Sequence, residues 1–201
     1  MIATEKSLEL LRHISANMQG STFHHHSHVL YDLPIKENGY YVEIGCFAGA
    51  TASLMLHKEK INVVSIDLGY PVPQATVLEN VELFNLHNNA FHYIEGNSQS
   101  QDTVDQLKKI TQEIDILFID GGHSKEDVMN DFNLYHKMVV PGGYIVFDDY
   151  NDSEYSPEVK PTVDEIVENT SEYEVIGVIE NTLGARPRTL LEGNCFILRK
   201  L

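Results

Sequence analysis

Five short stretches carry residue types able to do chemistry, and each follows directly on an apolar run. Glu43-Ile44-Gly45-Cys46-Phe47-Ala48-Gly49 puts an acid at the end of Tyr41–Ile44 and two glycines in the turn beyond it. Asp67 closes Val63–Ile66, Gly96-Asn97-Ser98 follow His92–Ile94, Asp120-Gly121-Gly122-His123 follow Ile114–Ile119, and Asp148-Asp149 follow Tyr144–Phe147. Glycines in a turn from strand to helix let a ligand approach the backbone at the helix amino terminus. The spacing here is E-x-G-x-x-x-G, whereas a dinucleotide site would read G-x-G-x-x-G to admit a pyrophosphate. Glu43 stands where that diphosphate would approach, which suits a cationic ligand better.

The later acids point to a second chemistry. If the fourth and fifth runs are neighbouring strands about 4.8 Å apart, Asp120, Asp148 and Asp149 converge on one rim. Unless protonated or hydrogen-bonded, such anions need a counter-charge. A hard divalent cation held by oxygens meets that need, magnesium first, then manganese or calcium. The plainer alternative has Asp120 closing a ligand pocket while Asp148-Asp149 caps a turn. Consecutive strand residues point to opposite faces, so Asp148 and Asp149 share an ion only if the strand has already turned.

The elements that must position these residues follow from periodicity. Strand-like runs, the fifth entered through a Pro141-Gly142-Gly143 turn, alternate with helical spacings at Ala50–His57, Val77–Asn85, Thr103–Ile110 and Ser124–Tyr135, the pattern of a mostly parallel sheet covered on both faces. A helix near Pro161–Asn169 and runs at Glu174–Ile179 and Asn194–Arg199 add a closing antiparallel hairpin. The fold class expected is α/β, a Rossmann-like αβα sandwich with a seven-stranded sheet. Leu8, Leu11 and Ile14 give an amphipathic helix over Thr4–Asn17. One domain spans 1–201: a helix and a His-rich segment (1–39), a ligand-binding core (40–150), and a helix with the hairpin (151–201).

Composition narrows the function. The chain has 201 residues, 42% of them apolar, and a formal net charge of −16, which disfavours a phosphate backbone as partner. No apolar run long enough to span a membrane and no signal-peptide pattern occurs, so a cytoplasmic protein is expected. Cys46 and Cys195 lack metal spacing and read as buried small hydrophobes.

Taken in order from Tyr41 to Tyr150, these strand ends resemble the class I S-adenosylmethionine-dependent methyltransferases. That resemblance implies that Gly45 and Gly49 lie under the cofactor's amino acid and ribose, that Glu43 helps hold its amino end, that Asp67 binds the ribose diol, and that Asn97 and Ser98 contact the adenine. Asp120 closes the same pocket. The acids after the fourth and fifth strands resemble those of the metal-dependent O-methyltransferases of macrolide sugars and the cephalosporin-hydroxylase-like family. This implies metal ligands at Asp120, Asp148 and Asp149, with His123 as general base.

The function expected is therefore magnesium-assisted O-methyl transfer from S-adenosylmethionine to a hydroxyl of a small molecule or saccharide, with homo-oligomerisation left open. The rivals are an NAD-dependent oxidoreductase on a related fold and a non-catalytic S-adenosylmethionine-binding protein. Around the site, His24–His28 suggest a lid over the acceptor or a solvated loop that binds metal adventitiously, Arg186 and Arg188 a grip on an anionic acceptor or ordinary surface ion pairs, and Tyr150 and Tyr155 a surface for stacking on a sugar ring or simply packed side chains.

Overall fold

Strands built almost wholly from Val, Ile, Leu and aromatic residues are stable only when both faces are covered, and the chain supplies a helical layer for each. The computed structural model describes residues 4–21, 25–178 and 194–201. The strands are β1 (Gly39–Ile44), β2 (Ile61–Asp67), β3 (Ala90–Glu95), β4 (Ile114–Ile119), β5 (Val139–Phe147), β6 (Tyr173–Val178) and β7 (Phe196–Lys200). They form one sheet in the order β3-β2-β1-β4-β5-β7-β6. The first five run parallel, and β7 lies antiparallel between β5 and β6, so the closing hairpin is present.

The helices are α1 (Glu5–Asn17), α2 (Val29–Asp32), α3 (Ala50–Leu56), α4 (Gln74–Phe84), α5 (Gln101–Ile110), α6 (Lys125–Tyr135) and α7 (Val159–Asn169). The two-residue period of the strands sorts the core. Tyr41, Val63, Phe118 and Val146 pack with residues of α1 to α4, while Val42, Val64, Leu117 and Ile145 pack with α5 to α7. Ser100 and Ser124 cap α5 and α6 by accepting the Thr103 and Asp127 N–H groups at 3.2 Å, each cap contributing about 1 kcal/mol.

One expectation changes. The Pro141-Gly142-Gly143 segment, expected as a turn ahead of the fifth strand, lies inside β5, and the pairing with β4 slips between Ile114 and Ile116 to absorb it. A side chain at Gly143 would meet the Asp115 carbonyl oxygen at 2.8 Å, so only glycine allows that approach.

The order in which strands are added reverses between β1 and β4: β2 and β3 build outward on one side of β1, and β4 begins on the other. In such sheets the carboxyl ends of the two strands splay apart and leave a crevice. No described helix is long and apolar enough to cross a membrane.

Candidate active site

That crevice is a cavity of about 690 Å³, within the range of pockets that enclose small ligands. Gly45, Gly49, Asp67, Asn97, Ser98, Asp120, His123, Asp148 and Asp149 all come from the carboxyl ends of β1 to β5, and all except Gly49 line the cavity.

The glycine loop is tight. Gly45 has φ +81, and an added Cβ would overlap the carbonyl of Asp120, while the Gly45 N–H donates to Ile66 O at 2.8 Å. Gly49 has φ +88 at the amino cap of α3, and a Cβ there would meet Val81 Cγ2 at 3.1 Å. Asp67 ties the loop to β2. Its Oδ2 accepts the N–H groups of Cys46 at 2.9 Å and Phe47 at 3.1 Å, and its Oδ1 accepts Gly69 N–H at 2.8 Å. A carboxylate has about four lone-pair sites, so with both sites of Oδ2 taken the remaining acceptor capacity lies on Oδ1.

Glu43 is fully buried and faces α3. Tyr41 and Thr51 hydroxyls donate to its Oε2 at 2.7 Å, and Ser65 donates to Oε1 at 2.6 Å. Burial outweighs these bonds and lifts its pKa to about 7. The carboxylate itself does not line the cavity; Thr51, which does, is its link to that space.

The 97–99 loop is held from α6. Asn97 Oδ1 accepts Gln99 N–H at 2.9 Å, Ser98 Oγ donates to Asp131 at 2.7 Å, and Gln99 donates to Asp127 at 2.9 Å. Burial raises Asp131 to about 6 against the opposing bond from Ser98.

At the other end of the cavity, donor atoms of Asp120, His123 and Asp149 all lie within 4.8 Å of one another. Asp149 reaches this group because β5 ends at Phe147 and Asp149 adopts φ +54, so the strand has turned before the second acid. Asp148 is buried, and its Oδ1 accepts the Cys195 thiol at 3.2 Å. Burial, then the charges of Asp148, Asp149 and Glu43, hold the Asp120 carboxyl well above the usual carboxylate range. Such a frustrated cluster fits a divalent cation, which would reverse that shift, and the donors are two carboxylates and an imidazole.

His123 has a 40% exposed side chain, with Nε2 at 3.4 Å from Asp149 Oδ2 and Nδ1 at 2.8 Å from Ser156 Oγ. Ser156 escaped the sequence reading, since a serine in an irregular stretch carries no signal of its own. Asp127 and Asp131, four residues apart and so on one face of α6, were a legible signal that the sequence reading passed over.

The peripheral residues divide. Tyr150 is not a stacking surface: it is buried, its hydroxyl donates to Asp164 at 2.6 Å, and its ring packs on Phe196 at 4.5 Å between centroids. Tyr155 is exposed but does not line the cavity. Ser21, Ser27 and Leu11 bring the amino-terminal segment to the cavity wall, and His28 is buried behind it. His24, Arg186 and Arg188 lie outside the described residues. Cys46 and Cys195 are free and buried.

Residues 42–150 match the family model described as a methyltransferase domain. The chain is 41% identical over 185 residues to uncharacterized protein R132 of Acanthamoeba polyphaga mimivirus, covering 86% of this chain and 84% of that one. It is similar in fold to the O-methyltransferase from Bacillus cereus in complex with SAH, with a TM-score of 0.64, 16% identity, and coverage of 100% of this chain and 93% of the other. It is also similar to the apo structure of CalS11, a TDP-rhamnose 3'-O-methyltransferase of calicheamicin biosynthesis, with a TM-score of 0.61, 14% identity, and coverage of 98% and 81%.

Proposed function

The chain belongs to the methyltransferase-domain family as a class I S-adenosylmethionine-dependent enzyme, and from that premise we propose that it methylates a hydroxyl group of a small molecule or saccharide with the help of a divalent cation, magnesium in the first instance. The observation that carries this reading is the meeting of Asp120, His123 and Asp149 donor atoms within 4.8 Å, on the same cavity as the glycine loop and Asp67. CalS11, with its sugar-nucleotide acceptor, supports the choice of acceptor class. The nicotinamide alternative falls with the family.

When bound, S-adenosylmethionine supplies an electrophilic methyl group and the cation supplies charge that makes a nearby hydroxyl more acidic. The protein's own part is alignment and proton removal. Gly45 and the loop to Gly49 would lie under the cofactor's amino acid and ribose, Asp67 would offer Oδ1 to the ribose diol, and Asn97 and Ser98 would contact the adenine. Asp120 and Asp149 would hold the cation, with Asp148 adding its charge from behind. His123 Nε2, at the exposed edge of the group, takes the acceptor's proton.

The 4.8 Å grouping also favours a second reading, in which His123 is a third ligand to the cation. Calorimetry with Mn²⁺ separates the two. A His123→Ala variant that binds the ion normally but transfers no methyl group supports the base, and one that binds the ion weakly supports the ligand.

Methyl transfer to neutral sugars, sugar nucleotides and phenols, measured with Mg²⁺ and with a chelator, tests the function. Metal-dependent O-methyl products that vanish in Asp120→Asn are expected. Full transfer in the chelator, or products methylated only on nitrogen, overturns the proposal.

A further inference from the structure

We propose that Ser156 is a positioning residue that fixes the tautomer of His123, holding the proton on Nδ1 and leaving Nε2 bare toward the cavity. Ser156 is 1% exposed, and its hydroxyl touches two partners, His123 Nδ1 at 2.8 Å and Asp149 Oδ2 at 3.1 Å. It has one proton to give. With Asp149 ionised its carboxylate only accepts, so the hydroxyl proton goes to Asp149, and Oγ must then accept from the ring. The partner on that side is Nδ1, which therefore carries the hydrogen. In a neutral imidazole that leaves the lone pair on Nε2.

The opposite tautomer would have Ser156 donate to Nδ1 and Nε2–H donate to Asp149. It needs a bond across 3.4 Å, beyond the usual N–H···O range, and leaves the Ser156 and Asp149 oxygens facing each other at 3.1 Å with no proton between them. The hydroxyl is held by its own backbone rather than by the site. Ser156 N–H donates to Asp152 O at 3.2 Å, its carbonyl accepts Val159 N–H at 3.1 Å, and Asp152 Oδ1 accepts Glu154 and Tyr155 N–H at 2.9 Å each.

A bare Nε2 serves His123 either as a proton acceptor or as a ligand, because both need its lone pair. The effect on catalysis rests on the function proposed above; the effect on the ring does not. The experiment keeps them apart. Histidine-¹⁵N spectra of the full chain without metal, taken well above the imidazole pKa, report the tautomer directly, with the His123 signals identified by their loss in His123→Gln. The wild type is expected as Nδ1–H, Ser156→Ala as a mixture shifted toward Nε2–H, and Ser156→Thr, which restores the hydroxyl, as Nδ1–H again. Circular dichroism checks that each variant is folded. In the same variants metal affinity or methyl transfer is expected to fall about 10- to 100-fold in Ser156→Ala and to recover in Ser156→Thr. An Nε2–H wild type, or a tautomer unchanged by Ser156→Ala, overturns the proposal whatever the activity. An altered tautomer in a chain that neither binds metal nor methylates oxygen would uphold the role of Ser156 and refute the function instead.

Discussion

The Cα of Gly45 lies against the carbonyl group of Asp120, so close that any side chain at Gly45 would overlap it. The Asp120 N–H in turn donates to Ile44 O at 2.9 Å, and the turns leaving β1 and β4 therefore touch backbone to backbone. The loop expected under the cofactor and the first acid of the rim are thus set by one contact.

Gly45→Ala combines that overlap with a left-handed φ, and is expected to cost on the order of 2 kcal/mol or more and to abolish cofactor binding. Gly49→Ala shares the backbone cost but presses only on the ends of two valine side chains, Val81 and Val77, so about 1 kcal/mol is expected. Urea unfolding of the two variants gives the comparison, and equal losses would contradict the contact described.

Asp67→Asn keeps one oxygen for the loop and gives up the charge that strengthens the bonds to Cys46, Phe47 and Gly69. Affinity for S-adenosylmethionine is expected to drop about tenfold or more, with the fold intact. Calorimetry measures this, and unchanged affinity would remove Asp67 from the ribose site.

Asp149 occupies a conformation that costs a non-glycine residue on the order of 1 kcal/mol, and it adds to a crowd of like charges. Asp149→Gly is therefore expected to be at least as stable as the parent while losing metal-dependent transfer. A thermal melt beside a methyl-transfer assay tests both halves; a destabilised variant with normal turnover would contradict both.

Glu43 binds its proton more tightly in the folded state, with a pKa raised from 4.5 to about 7. Its contribution to stability is complete below about pH 4.5 and is lost as pH rises through about 7, a change on the order of 3 kcal/mol. Glu43→Gln is expected to flatten that slope. Unfolding free energies at a series of pH values would show it, and a slope identical to the parent's would place the titrating group elsewhere.

Much of the framework was legible in the chain because it rests on local rules. A short apolar run such as Ile116–Ile119, bounded by turn residues, reads as a strand buried on both faces, and residues that end such runs at turns into helices gather at one edge of a parallel sheet. Gly45, Asp67, Asn97 and Asp120 could thus be assigned to one crevice from position alone. The Pro141-Gly142-Gly143 segment was misplaced because its punctuation says turn, whereas a slip in pairing with β4 lets it continue the strand.

The direction of each side chain belonged to the tertiary structure. Whether Glu43 meets the cavity or three hydroxyls depends on where Thr51 of α3 and Ser65 of β2 lie across the sheet. Whether Asp148 and Asp149 share a partner depends on the φ of one residue, and Tyr150 turned inward because Asp164 and Phe196 were there to receive it. Sequence alone determined which strand ends carry the chemistry, since the two-residue period and the glycine turns act over a few residues. Only the packed fold decided which of those groups touch, because that depends on contacts between segments far apart in the chain, of which Ser156 between His123 and Asp149 is the clearest case.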